Sequence, residues 1–344
     1  MEMQDQHDMF STPPKAMRRW FSVPVQTDIP SDQVRRYSNQ VFRDMAEGNL
    51  NGYTPALDQR KLVPTHRFDG KDWIDWDIAS ELAATTCNST LDPTKVKNLS
   101  FYTHNIWFGK KNEDERFKNL IQMIWDSDAD FVCLQEVVAP FFELLVHNDE
   151  IRGKYYFSGN SITDYGLLIL SKWPCYFYDF PFANTWMGRS LLVAETVFNG
   201  KTFLTWTSHL ESLDNKAKRR EQTEYVQHNL LYGFDSVFMG DFNFDFTWAD
   251  ESSNIDWKQY QDLWQQLKDE KEEWYTKNGT SHFKPVTLDH VLLSKSSQFK
   301  PKFIKRVGNY CCRNYGQDLI NDIREDDVVR TPSDHLGLYA VISD

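Results

Sequence analysis

Two short segments of this chain hold residues that could do chemistry: Met239-Gly240-Asp241-Phe242-Asn243-Phe244-Asp245, and Pro332-Ser333-Asp334-His335-Leu336-Gly337-Leu338. In each, an apolar run adjoins a Gly- or Ser-marked turn that presents polar groups. The first segment supplies a carboxylate and an amide, the second an Asp next to a His. A base, a donor for developing charge and an oriented imidazole are what hydrolysis of a phosphate ester requires.

Further candidates sit upstream. Glu136 follows the apolar run Phe131-Val132-Cys133-Leu134, and Asn105 follows Leu99 to Thr103. Beside Asn105 and Asp241, Glu136 is a candidate Mg²⁺ ligand, because Mg²⁺ prefers carboxylate and water oxygens and tolerates a sparse protein shell. Asp241 is the residue to orient or deprotonate an attacking water. His335 would face the phosphoryl oxygen, oriented by Asp289, while its sequence neighbour Asp334 would face the metal or a water. His209 would contact a non-bridging phosphate oxygen. Each residue alone has a plainer role: a solvated acid at a strand exit for Glu136, turn chemistry for Gly240-Asp241-x-Asn243, a structural histidine for His335. Their recurrence at strand ends argues for one site, since ligands in layered α/β folds gather there.

The elements that must position these residues alternate from Asn98 onward. Leu99 to Thr103 reads as a strand. Phe117, Leu120, Ile121, Ile124 and Trp125 fall on one face of a helix, with Asn112 and Glu115 as a helix-opening cap. Phe131 to Leu134, Phe203 to Ser208, Ser236 to Met239, Leu288 to Leu293 and Gly337 to Ile342 read as strands, and a charged helix covers Asn215 to Leu230. Residues 96–344 form the catalytic domain. Residues 1–95 form an N-terminal arm that carries Pro13-Pro14 and the aromatics Trp20, Phe21, Trp73 and Trp76. The arm is expected to pack on the domain at those rings, with roughly the first 20 to 30 residues as a disordered tail. No repeat or low-complexity segment stands out.

Of the 344 residues, 40% are hydrophobic and 26% charged, which allows a sizeable core and argues against global disorder. The net charge of -12 argues against a broad basic surface that coats nucleic acid. It leaves room for an enzyme that grips a few phosphates around a divalent cation, which reverses the local sign. No apolar stretch approaches the roughly 20 residues that span a bilayer, and the N-terminus lacks a secretion signal's apolar run. The 5 cysteines show no zinc spacing, so a reduced intracellular compartment is expected.

In their order, Thr103-His104-Asn105, Leu134-Gln135-Glu136, Thr207-Ser208-His209-Leu210-Glu211, Gly240-Asp241-Phe242-Asn243, Leu288-Asp289 and Ser333-Asp334-His335 resemble the motifs of the endonuclease/exonuclease/phosphatase superfamily. The resemblance covers roughly residues 98–344. It implies a four-layered α/β sandwich, with two packed, mostly antiparallel sheets between outer helices, and Mg²⁺- or Mn²⁺-dependent phosphoester hydrolysis. Within the superfamily, Met187 to Leu192, Trp206 to Ser212, Asp262-Leu263-Trp264 and Ser333 to Leu338 are similar to the tyrosyl-DNA phosphodiesterase 2 family. That family removes tyrosine, left by a trapped topoisomerase, from the 5′ phosphate of DNA. The similarity implies DNA ends with 5′-phosphotyrosyl adducts as substrate and a nuclear location; more broadly the chain is expected in nucleus or cytoplasm, as a monomer. It also implies metal binding by Asn105 and Glu136, nucleophile and transition-state roles for Asp241 and Asn243, phosphate contacts from His209 and His335, and a place for Ser212 near the DNA phosphate.

The chain departs from that family at Leu213-Asp214, where an Arg is usual two positions after Ser212, and at Phe244-Asp245-Phe246, where Leu-Arg-Asp is frequent. Arg189, Lys216, Lys218 and Arg219 are the candidates to replace the two basic contacts. Phe242, Phe244, Phe246 and Trp248 could stack on terminal bases or anchor a loop. The alternative reading keeps the chemistry and changes the substrate to RNA, as in a deadenylase, or to phosphoinositide or sphingolipid head groups. A binding protein that kept only the fold is disfavoured by the complete set Asn105, Glu136, Asp241, Asn243, Asp289 and His335.

Overall fold

Apolar and β-branched runs along this chain form strands buried on both faces, and these assemble into two sheets. The computed structural model describes residues 61–78, 92–229, 234–271, 275–279, 284–309 and 331–344. The first sheet contains β1 (Lys61–Val63), β8 (Tyr176–Pro181), β9 (Ser190–Phe198), β10 (Lys201–His209), β11 (Asp235–Asp241), β13 (Asp289–Ser294) and β12 (Tyr260–Asp262), in that spatial order. The second contains β14 (Lys300–Val307), β15 (Gly337–Ser343), β4 (Asn98–Asn105), β5 (Phe131–Val137), β7 (Gly166–Ser171), β6 (Tyr156–Ser158), β2 (Thr65–Phe68) and β3 (Trp73–Asp75). Pairing is antiparallel except between β10 and β11 and between β4 and β5.

Side chains alternate across each strand, and this alternation builds the layers. Phe101, Phe131, Ile169, Phe203, Met239, Val291 and Ala340 point inward and fill one core between the sheets. Their neighbours Tyr102, Val132, Leu134 and Leu168 point outward and meet Phe117, Leu120 and Ile124 of α1 (Glu113–Ser127), Phe141 and Leu145 of α2 (Ala139–His147) and Ile151 of α3 (Asp149–Lys154). On the other side Val193, Leu204, Trp206 and Phe238 meet Val226 of α4 (Lys216–Asn229). The result is the expected four-layered sandwich. Two short helices, α5 (Ala249–Ser252) and α6 (Leu263–Leu267), complete the elements among the described residues.

Two expectations need correction. Asn112 does not cap α1 through its side chain. It sits at φ 51° in the left-handed region and makes no capping bond, whereas a capping side chain requires extended backbone at that residue. Residues 61–75, assigned to an arm, supply three strands to the sheets: β1 pairs with β8, and β2 pairs with β6 and β3. These strands are 3 to 4 residues long and pair with distant segments, so they leave no local periodicity to detect. Trp73 packs on Phe157 at 4.8 Å and donates to Val146 O at 3.2 Å, and Trp76 packs against Tyr156. The remainder of the arm through residue 60, with its proposed disordered tail, lies outside the described residues.

Candidate active site

Register puts the chemistry at one edge of the sandwich. In the first sheet His209 pairs with Asp241, and Asp241 pairs with Asp289, so the three lie side by side on adjacent strands. Parallel pairing ends β10 and β11 at the same edge, and antiparallel pairing starts β13 there. In the second sheet Asn105 pairs with Gln135, the residue before Glu136. A bulge between Leu134 and Val137, with Glu136 at φ 58°, turns the Glu136 side chain toward this edge. Gly240 is required where it stands: at φ 143° a Cβ would lie 2.2 Å from Ser208 O.

The amide of Asn105 is the centre of the site. Its Nδ2 donates to Glu136 Oε1 at 3.1 Å and to Asp241 Oδ2 at 2.9 Å, and its Oδ1 accepts from Trp107 N at 3.0 Å. The other Asp241 oxygen accepts from Asn243 N at 2.9 Å, and Glu136 Oε2 accepts from Phe108 N at 2.9 Å. Burial raises the pKa of the Asp241 carboxyl, with the charge of Asp289 adding to it. Asn243, at φ 56°, donates one amide hydrogen to Leu210 O at 3.0 Å.

The two histidines beside Asp241 are held in opposite charge states. His335 Nδ1 lies 2.8 Å from Asp289 Oδ2, and its Nε2 lies 3.7 Å from Asp241. Burial opposes charge on this ring, but the carboxylates of Asp289 and Asp241 outweigh it and raise the pKa to about 9. His209 is driven the other way: burial, then the Arg189 guanidinium, lowers its pKa well below the ordinary value. Arg189 Nη1 lies 2.9 Å from His209 Nδ1. A guanidinium only donates, so Nδ1 is the acceptor and Nε2 carries the proton, 3.4 Å from Asp241 Oδ2.

The donor set fits a hard divalent cation. Glu136 and Asp241 each place a carboxylate oxygen within hydrogen-bonding distance of the one Asn105 nitrogen, which is an oxygen-rich grouping of the kind such ions take. Ligating atoms of Asp241, Asp289 and His335 also lie within 4.8 Å of one another. That second grouping is the weaker cage, because metal binding needs a neutral imidazole and the Asp289 pair keeps His335 protonated. Asp241 belongs to both.

The sequence profile described as the Endonuclease/Exonuclease/phosphatase family matches residues 102–335, which span Asn105 to His335. The chain belongs to the endonuclease/exonuclease/phosphatase family. Tyrosyl-DNA phosphodiesterase 2 of Xenopus tropicalis is 31% identical over 162 residues, which is 45% of this chain and 42% of that relative. The enzyme of the same name in Mus musculus is 27% identical over 296 residues, 81% of this chain and 76% of the relative. The chain thus spans less than half the length of the first of these relatives and about three quarters of the second. A solved structure of D. rerio TDP2 complexed with single strand DNA product shares its fold, with a TM-score of 0.58 at 23% identity over 72% of this chain and 99% of that one.

Within this family fold, several residues singled out in the sequence fall elsewhere. Phe242 and Phe244 are 0% exposed and pack on one another, with Phe246 beside them stacked on His290 at 3.6 Å. A fully buried ring offers no face to a base, so these two do not bind substrate by stacking and instead anchor the loop that carries Asp241 and Asn243. Trp248 is 40% exposed. Asp334 is held by Lys277. Ser212 donates to Met187 Sδ at 3.1 Å. Among the suggested basic replacements, Arg189 is spent on His209, Lys216 on Asp250 and Arg219 on the buried Glu251, while Lys218 lies over Trp186 and donates to Asn184.

Three supporting residues were not assigned a role from sequence. Gln135 is fully buried and donates to Thr103 Oγ1 at 3.1 Å and Thr207 Oγ1 at 3.0 Å, tying the two sheets together beneath the site. Ser333 donates to Asn105 O at 2.6 Å and accepts from His335 N at 3.1 Å. Arg116, fully buried, donates to Ile106 O and Pro332 O at 3.1 Å each. Its signal was legible: a charge in register with Leu120 and Ile124 on the apolar stripe of a helix.

Proposed function

We propose that this chain hydrolyses the bond between a 5′ phosphate of DNA and a tyrosine, with Mg²⁺ or Mn²⁺ held by Glu136 and Asp241 around Asn105. The observation that carries the chemistry is Asp241 set between a neutral His209 and a charged His335. One charged and one neutral histidine then present N–H donors on either side of the carboxylate that serves as base. The substrate rests on the named relatives and on the motif set Met187 to Leu192 and Trp206 to Ser212.

The cation, when bound, supplies charge neutralisation at the phosphate. Asp241, its pKa raised by burial, takes a proton from water as the water oxygen attacks phosphorus. The protonated Nε2 of His335 and the Nε2–H of His209 donate to phosphoryl oxygens where charge builds. Asn243 has a second amide hydrogen for the same purpose. The tyrosyl oxygen departs and is protonated from solvent.

The test is Mg²⁺-dependent release of tyrosine from a 5′-phosphotyrosyl oligonucleotide, with Asp241→Asn as control. Release that the variant loses is the expected result. Activity confined to RNA or phospholipid head groups would keep the mechanism and overturn the substrate.

A further inference from the structure

Among the cations suggested to replace the missing arginines, Arg189 stands against His209 in the site itself, while Lys216, Lys218 and Arg219 pair with Asp250, Asn184 and Glu251, which leaves the question of what grips the rest of the nucleic-acid strand. The loop from Ile106 to Lys111 answers it. Its backbone is fixed from below by Arg116, which donates to the carbonyls of Ile106, Trp107, Gly109 and Lys111, the last at 2.9 Å through Nε. Trp107, at φ 58°, lies over the same guanidinium at 4.5 Å. The next residue, Phe108, donates its backbone N–H to Glu136 Oε2, so the loop is pinned to a residue of the metal site. Phe108 is 48% exposed and stacks on Tyr165, with ring centres 5.0 Å apart.

Lys110 and Lys111 follow at once, both exposed. They stand two and three residues beyond Phe108 in the sequence, on the loop whose carbonyls Arg116 gathers. The acids that come next, Glu113, Asp114 and Glu115, occupy the first turn of α1, where they complement its free amides. The left-handed residue Asn112 turns the chain between the two charge groups.

We propose that Lys110 and Lys111 are the backbone clamp of this enzyme, binding the phosphates that follow the scissile one on a single-stranded 5′ DNA end. The assignment rests on the DNA reading above. The buried arginine fixes the loop backbone in advance, so that only the two lysine side chains are ordered on binding. They hold the strand in place and take no part in the bond that breaks.

The experiment has two arms. In the first, a short 5′-phosphorylated single-stranded oligonucleotide is titrated with the full chain by fluorescence anisotropy across a range of salt, for wild type and K110A/K111A. Each phosphate contact on a single strand contributes a slope of about -0.7 in log K against log salt. The double variant is therefore expected to lose roughly 1.4 of that slope, with binding weakened about tenfold or more at low salt. An unchanged slope overturns the clamp, even if the enzyme cleaves phosphotyrosyl DNA. In the second arm, hydrolysis of the 5′-phosphotyrosyl oligonucleotide is expected to show a raised KM and an unchanged kcat in the variant. A variant that loses kcat equally would assign the loop to the site's architecture instead. A wild type that binds the oligonucleotide through these lysines but fails to release tyrosine would keep the clamp and overturn the substrate reading alone.

Discussion

Asp289 Oδ2 lies 2.8 Å from His335 Nδ1, and both side chains are buried at the sheet edge beside Asp241. The contact fixes the ring's orientation and, against the cost of burial, keeps it charged. Asp289→Asn preserves shape and removes the charge, so His335 loses the carboxylate that holds its proton. The expected outcome is a fall in kcat of about 10² to 10⁴, with the fold retained by circular dichroism. Full turnover in the variant would remove the pair from the mechanism.

Glu136 and Asp241 are separated by one amide nitrogen, but only Asp241 is also flanked by both histidines. The two should therefore fail differently. Glu136→Ala is expected to raise the metal concentration for half-maximal rate by about 10-fold or more, with activity recovered at high metal. Asp241→Asn is expected to lose activity that metal does not restore. Metal titrations of both variants check this, and an unchanged metal dependence in Glu136→Ala would contradict its place as ligand.

Phe244 separates stacking on DNA from packing in the core. With the ring 0% exposed among Phe242, Phe246 and His290, Phe244→Ala should cost about 3 to 5 kcal/mol of stability. The substitution should be visible first in chemical denaturation. A variant of wild-type stability with a selectively raised KM would restore the ring to the substrate surface.

His104 gives the fold a pH dependence of its own. Burial lowers its pKa to about 4, with Tyr102 OH at 2.7 Å from Nδ1 and His335 O at 3.0 Å from Nε2. In the unfolded chain the ring titrates near 6.5. Between those values the unfolded state binds more protons. The stabilising contribution is therefore complete above about pH 6.5 and declines as pH falls toward 4, by on the order of 3 kcal/mol in all. Urea denaturation of metal-free protein across this range, compared with His104→Gln, measures it. The variant should start less stable and lose that part of the acid sensitivity; an equal slope would assign the sensitivity to other groups.

The residue types of the site were legible because hydrolysis of a phosphate ester restricts them. Asn105, Glu136, His209, Asp241 and His335 each follow or precede an apolar run, and strand ends could be read from those runs. The alternation of strands and helices was legible too, since buried strands and the apolar face of α1 repeat on periods a local pattern reveals, while the four layers came from the resemblance of the motifs to the superfamily. Other features exist only between segments far apart in sequence. The histidine charge states depend on Asp289 and Arg189, which burial and register bring within 2.9 Å of rings 46 and 20 residues away. Whether Phe242 and Phe244 faced substrate or core could not be decided along the chain, because an aromatic run suits both, and only packing against His290 and Phe246 settles it. The strands of residues 61–75 were hidden for the same reason. A strand of a few residues has no pattern of its own, and its conformation is set by hydrogen bonds to partners such as β8 and β6 that only the tertiary fold supplies.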